Sequence, residues 1–456
     1  MSESIPTVWG RTRPAEFERQ AIKSLSRRVL PVMCLLYLVA FIDRISLGFA
    51  QLTMGGDLGV DPAMFGLISG IFFAGYILFE LPSNVALERF GARIWLTRIG
   101  VTWGLVTIAQ GFVQNETQLL IMRFLLGVAE AGLAPGLAFY IMRMYPRAYR
   151  ARANSLIFIG APIATALAGP ICGVILDNVG WFDFPSWRWV FVLTGIPAVL
   201  LGIVTYTLLV DRPADARWLS TEQREWIVGE LSRENAGSHH ASHRILASFR
   251  NIDVLLLALV QFLISSGSYG LAFWSPQIVK GLAGDFSPTL IGLLVFVPYA
   301  AATVAMVVNA AHSDRKGEHP LHAAVPAAIG GIALVSLGIV STGSSSVGFV
   351  LLVVAAAGVN AYGAPFWAIA QNRFAGPSAA VMIAAVSTLG AFGGLLAPYI
   401  FGLFTKFSGD TNSGVTYLGL VVILAAVILL AARKRLNQTE ETVTPLPDST
   451  RLTVSD

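Results

Sequence analysis

Charge is what this chain has least of. Only 13% of its 456 residues are Asp, Glu, Lys or Arg, against roughly 25% in an ordinary soluble domain. With 55% hydrophobic residues and a mean hydropathy of +0.67, a water-facing globule is excluded. Cysteine is scarce too. Cys34 and Cys172 both lie in apolar runs, which excludes a disulfide framework or a CxxC motif and reads as packing by small hydrophobes. There is no HExxH, no GxSxG, no P-loop and no clustered histidine set, so an enzyme is not expected, and no metal or cofactor is called for. The ten-residue alternation of a transmembrane barrel is missing. The first 28 residues are polar, so no cleavable signal is expected and the first span itself would direct insertion.

What the chain has is apolar runs long enough for helices, about 20 residues each. Twelve are read, at 29–50, 65–86, 94–113, 118–139, 153–176, 189–210, 251–279, 289–310, 322–341, 346–369, 378–404 and 414–432. The expected fold class is an all-α membrane protein of 12 transmembrane helices in two pseudo-symmetric six-helix halves. The expected segments are a cytoplasmic N-terminal stretch 1–28, a first half 29–210, a central cytoplasmic loop 211–250, a second half 251–432 and a cytoplasmic tail 433–456. Twelve spans put both termini on one side. Of the 31 lysines and arginines, 25 fall on that side, three on the other, and three (Arg44, Arg98 and Arg123) inside spans. Positive residues stay inside, so both termini are expected in the cytoplasm of an inner (plasma) membrane. The same bias accounts for the basic pI without any nucleic-acid partner.

Within the central loop, Ser220 and Gln223 stand at capping-box spacing before an amphipathic stretch. His239, His240 and His243 follow in a polar segment and read as a solvated linker. The halves echo each other: Glu88-Arg89-Phe90-Gly91 and Asp314-Arg315-Lys316-Gly317 lie 226 positions apart. Two repeated six-span halves with a site between them is a transporter architecture that works by rocking. The small residues of Gly169-Pro170-x-x-Gly173 fit close helix contact.

Ionisable residues inside spans are expensive and mark function. Asp43 and Arg44 sit in the first span, Arg123 and Glu130 in the fourth. At about 1.5 Å per residue, Asp43 lies roughly 21 Å from the start of its span and Arg123 roughly 8 Å from the start of its own, which runs the other way. In a core of about 30 Å they are at similar height. Glu130 follows Arg123 by nearly two turns, on the same face. An arginine that leaves Asp43 for a substrate carboxylate would free Asp43 to take a proton, so substrate and proton would favour each other's binding. A guanidinium holds a carboxylate bidentately, and the sequence leaves open whether Arg44 or Arg123 does so. A permanent Asp43–arginine pair that only fixes packing is the competing reading.

Several stretches resemble the major facilitator superfamily and, more narrowly, its anion:cation symporter family of organic-acid permeases for galactonate, hexuronate, tartrate and phthalate. They are Phe41-Ile-Asp43-Arg44, Glu80-Leu-Pro82-Ser-Asn84, the 226-spaced turns, Gly-Ala-Arg93-Ile-Trp95, Arg123 through Gly136, Asp211 through Trp218, and Tyr269 through Pro276. Asn84, Ala310 and His319 depart from the superfamily turn, and Ser387 and Ala391 stand where the family often has Asn. The resemblance implies proton-coupled uptake of a small organic anion by alternating access, in a monomer whose partners are the acid, protons and the bilayer. It implies proton sites at Asp43 and Glu130. For substrate binding, Arg44, Arg123 and Tyr76 are candidates, with Trp274, Gln277, Asn360, Trp367, Gln371, Ser387 and Thr388 in the second half. Glu88, Arg89, Arg93, Asp314 and Arg315 are placed for cytoplasmic gating. A proton-independent exchanger or facilitator, and a transporter-like sensor of an acid, remain alternatives. The sensor would need a signalling appendage, which the short tail does not offer. The missing eleventh-span asparagines and the aromatic candidates lean toward a less hydroxylated or aromatic acid over a sugar acid.

Overall fold

The computed structural model describes residues 5–6, 12–13, 15–236, 251–340, 345–374 and 379–436. The three linker histidines lie outside them. Among the described residues, sixteen α-helices follow a short antiparallel pairing of Ile5–Pro6 with Thr12–Arg13. The first half comprises α1 Ala15–Leu58, α2 Pro62–Phe90, α3 Ala92–Gln110, α4 Glu116–Glu130, α5 Leu133–Met144, α6 Arg147–Phe158, α7 Gly160–Asn178 and α8 Ser186–Leu208. After α9 Thr221–Ala236, the second half comprises α10 Ile252–Ala283, α11 Pro288–Lys316, α12 His319–Val340, α13 Ser345–Ala361, α14 Gly363–Arg373, α15 Ala379–Ser408 and α16 Asn412–Leu436.

Spans four, five and ten are each built from two helices (α4/α5, α6/α7, α13/α14). Eleven spans are long and apolar enough to cross a membrane. The other, α3, is 19 residues long and is diluted by Arg93 and Arg98 near its start. The first helix begins 14 residues earlier than its apolar run. Ala21, Leu25 and Val29 repeat at helical spacing and are buried, and Phe17 meets Trp226 of α9 edge-on at 6.4 Å. The central loop is therefore not all solvated. The capping box forms, with Gln223 N donating to Ser220 Oγ at 3.2 Å and Ser220 N to Gln223 Oε1 at 3.3 Å. Arg150 ties α9 to α6 through Glu234 at 2.7 Å.

The two halves meet on the side away from the termini. There Gln277 Nε2 donates to Gly48 O at 2.8 Å, Thr289 N to Asp177 Oδ2 at 2.7 Å and Lys406 Nζ to Asp61 Oδ2 at 2.8 Å. Asp61 also caps α2 through Met64 N. These two bonds, the lysine's first, hold its carboxyl below the usual range. One tight crossing between the halves is α7 on α11. A Cβ on Gly169 would stand 2.3 Å from Gly292 O, and one on Gly292 would stand 2.2 Å from Gly169 O. The fifth-span glycines thus serve close helix contact. On the termini side Glu88, Arg89, Asp314 and Arg315 are exposed, with no ion pair across the halves among the described residues. The molecule is closed at the far end and open at the termini end.

Backbone faces backbone at the Gly169–Gly292 crossing, so nothing flexible can yield. Gly169→Val and Gly292→Val are expected to destabilise by about 1–3 kcal/mol or more. This should appear as a lower thermal unfolding midpoint in detergent and a loss of monodisperse protein. Unchanged midpoints in both variants would refute the tight crossing.

Candidate functional site

Neighbours on a helix diverge by about 100°, and Asp43 and Arg44 use that divergence. Asp43 points into the first half, toward α3 and α8. Its Oδ2 accepts from Trp103 Nε1 and Thr107 Oγ1, both at 2.9 Å, and its Oδ1 from Thr194 Oγ1 at 3.5 Å. None of the three is charged. Arg44 points the other way and pairs with Glu130 through Nη2 and Oε1. Its guanidinium lies 4.7 Å from the Phe41 ring and 4.6 Å from the Phe72 ring, and its Nη1 reaches Tyr269 Oη of the second half at 3.4 Å. The expected Asp43–arginine pairing is therefore replaced by an Arg44–Glu130 pair. Asp43 leans on neutral donors because Arg44 projects from another face of α1.

Arg123 is the anomaly. It is 0% exposed, and among the described residues its Nε, Nη1 and Nη2 all lack a hydrogen-bond partner. The charges of Asp43, Glu130 and Arg44 are close enough to act on it, and its guanidinium lies 5.5 Å from the Phe72 ring. Glu130 Oε2 also has no partner. Four buried charges thus balance in number while the hydrogen bonds are unevenly shared. A buried guanidinium without acceptors is costly, so the arrangement suits an anion that brings its own.

Glu130 is the last residue of α4, because the chain breaks there. Gly132 has φ 86°, a left-handed conformation that favours glycine, and a Cβ on it would stand 2.4 Å from Ser83 Oγ. The carbonyls freed by the break are capped by side chains. Ser83 Oγ donates to Ala131 O at 2.6 Å, Arg98 Nη1 to Ala129 O at 3.2 Å, and Trp95 Nε1 to Ser83 Oγ at 2.9 Å. In the second half, Asn309 Nδ2 donates at 2.8 Å to Ala361 O, at the junction of α13 and α14. Ser83 and Asn309 are 226 positions apart, the offset of the repeated turns.

The other predicted residues are spread out. Tyr76 is half-buried beside Arg44, its ring 5.9 Å from the guanidinium. Trp274 and Gln277 lie at the far-side seam, not beside the charged cluster. Trp274 Nε1 donates to Pro398 O at 3.2 Å, and its ring stacks on Phe401 at 4.4 Å. Asn360 bonds within its own helix to Ala356 O at 2.8 Å. Trp367 meets Phe366 edge-on at 5.3 Å, and Gln371 is exposed toward the termini side. Ser387 is exposed and Thr388 half-buried. Ser387 lies nearly two turns before Gly394, on the face that meets Phe73 of the first half. Arg93 is tied within its own half, its N donating to Asp211 Oδ1 at 2.9 Å and its Nε to Tyr206 O at 2.6 Å. Trp103, Thr107, Thr194 and Tyr269 were not foreseen as partners of the charges. The i, i+4 spacing of Trp103 and Thr107 was the available signal.

Residues 33–398 match the family described as Major Facilitator Superfamily. A protein of Agrobacterium vitis named "Putative tartrate transporter" is 39% identical over 422 residues, covering 92% of each chain. A "Quinolone resistance transporter" of Acinetobacter baumannii is 36% identical, covering 91% of this chain and 95% of its own. Among solved structures, a bacterial homologue of the human lysosomal transporter Spinster, inward-facing and unoccupied, superposes with a TM-score of 0.70 at 18% identity, over 93% of this chain and 97% of that one. The last likeness concerns the fold alone.

Ser83→Ala should leave the Ala131 carbonyl buried and unpaired, at about 1–3 kcal/mol, and Asn309→Ala should do the same to Ala361. Each is expected to lower the thermal unfolding midpoint. If neither does, the paired capping of the two broken spans is wrong.

Proposed function

Since the chain belongs to the major facilitator superfamily, and is a multi-pass membrane transporter, we propose that it couples proton entry to uptake of a small organic anion. The observation that carries this reading is Arg123, a buried guanidinium without hydrogen-bond partners between two buried carboxylates. The substrate's carboxylate docks on Arg123, where two parallel N–H bonds can form. Its charge competes for Arg44, 86 positions away in sequence from Glu130 but paired with it. As Arg44 turns toward substrate, Glu130 loses its counter-ion and takes a proton. Asp43, held by Trp103, Thr107 and Thr194, is the second proton site. Substrate and proton each make the other's binding more favourable, and such linkage is reciprocal.

With the termini in the cytoplasm of an inner membrane, the open end faces the cell interior, and the conformation is one that releases substrate inward. The tartrate name of the 39% identical relative supports an organic acid. The earlier lean toward an aromatic acid draws no support from Trp274 and Trp367, since neither touches the charged cluster. The cytoplasmic charges Glu88, Arg89, Asp314 and Arg315 are apart in this open state and come together when the inner side closes.

Proteoliposomes under an inward proton gradient are expected to accumulate a carboxylate from a panel that includes tartrate and, given the second relative, quinolones. Asp43→Asn or Glu130→Gln should abolish concentrative uptake. Arg123→Gln should cost at least tenfold in uptake, about what losing a charge-assisted bond of 1.5–3 kcal/mol implies. Parent-level accumulation by both carboxylate variants would overturn the proton sites. Exchange indifferent to pH and uncoupler would favour the exchanger reading.

A further inference from the structure

A cavity of about 310 Å³ opens at the far-side seam. Gln51 and Val60 line it from the first half, and Trp274, Gln277, Lys280 and Thr405 from the second. Three polar atoms of these residues are buried without a partner among the described residues: Gln51 Oε1, Gln277 Oε1 and Thr405 Oγ1. Thr405 is only 6% exposed. The amide orientations are fixed, because Gln51 Nε2 donates to Val60 O at 3.3 Å and Gln277 Nε2 to Gly48 O at 2.8 Å. Each amide nitrogen is committed, so each oxygen is left as an acceptor that needs a donor. Lys280 is exposed and makes no ion pair among the described residues.

The chemistry asked for is specific. Lys280 calls for an anion, the two amide oxygens call for O–H or N–H donors, and Thr405 can give or accept. A plain carboxylate would satisfy the lysine but oppose its own oxygens to those of the glutamines. A hydroxycarboxylate supplies both the charge and the hydroxyl donors. We propose that this seam cavity binds a small hydroxycarboxylate from the far side of the membrane, at a site separate from the Asp43–Arg123 cluster. Because both halves line it, the ligand binds only while the far end is closed. It therefore shifts the protein toward that conformation.

The test is calorimetric titration of purified full-length protein carrying Arg123→Gln, with tartrate and with succinate, which has the same two carboxylates and no hydroxyl. Tartrate should still bind, and succinate should bind at least about tenfold more weakly. Lys280→Gln and Thr405→Val, each added to that background, should weaken tartrate by about tenfold or more. Since Lys280 is exposed, Lys280→Gln decides the matter if Thr405→Val lowers the folded yield. If Arg123→Gln does not fold, the same Lys280→Gln comparison is made in the parent protein. The proposal is overturned if tartrate does not bind, if succinate binds equally well, or if Lys280→Gln leaves tartrate affinity unchanged.

Discussion

The Arg44–Glu130 pair sets the terms for the rest of the first half. A charge inside a bilayer needs a partner or a wet cavity, and removing one member of a buried pair typically costs about 3–5 kcal/mol. Keeping the pair requires α1 and α4 to stay in register. The aromatic rings of Phe41 and Phe72 beside Arg44 restrict where its guanidinium can go. Glu130 in turn ends α4, at a break that must be capped from α2 and α3. Ser83, Trp95 and Arg98 are therefore part of the same arrangement as the ion pair, although none of them touches it. That accounts for the motif residues of spans two and three in terms of the fourth span's backbone.

The same pair also connects the cluster to the other half. Arg44 bonds to Tyr269 of α10 as well as to Glu130, and four residues further along α1, Gly48 O accepts from Gln277 of that helix. Any change at Arg44 is thus made one turn from a contact that closes the far end. The far-side contacts are of two kinds. Those between exposed side chains, such as Asp61 with Lys406, are weak and screened and are easily given up. The crossing of α7 and α11 sets glycine on backbone, with a side-chain bond from Asp177 to Thr289 N at its far end. It suits a surface about which the halves turn while side-chain contacts at either end form and break.

Much of this was legible in the sequence, and the reasons differ by element. The number of spans and their repeat were legible because a bilayer demands long apolar runs and because the turns after α2 and α11 recur at a fixed offset. The breaks in spans four and ten were not, since hydropathy does not register backbone conformation: span four turns at the left-handed Gly132, and span ten at Tyr362 with no left-handed residue. The length of α1 was missed because residues 15–28 are polar overall and bury only one stripe against α9. The charged residues of the site were all legible by cost alone. Their pairing was not: depth arithmetic put Asp43 level with Arg123, but it carries no information about which face of α1 each residue occupies. The neutral donors to Asp43 were invisible for the same reason, as a threonine or tryptophan in a membrane helix is ordinary until its neighbour is known.

The repeat also shows what was not duplicated. Asn309 does for span ten what Ser83 does for span four, yet no acidic residue in α13 or α14 answers to Glu130, and from Val254 to Val279 α10 has no Asp, Glu, Lys or Arg to answer Asp43 and Arg44. In α15 there is no such residue before Lys406. The second half therefore keeps a capped helix break and omits charges from the middle of these spans; its buried pair, Asp253 with Arg373 at 2.7 Å, lies at the termini end of α10. If both halves carried ion pairs at mid-span, a rocking motion would have to re-solvate or re-pair charges on both sides, and the desolvation cost of burying ions there would be met twice. At mid-span the second half meets the charged cluster with a neutral group, Tyr269. Under the proposed function, that division assigns recognition of the anion and of the proton to the first half and discrimination among anions to the uncharged face of the second.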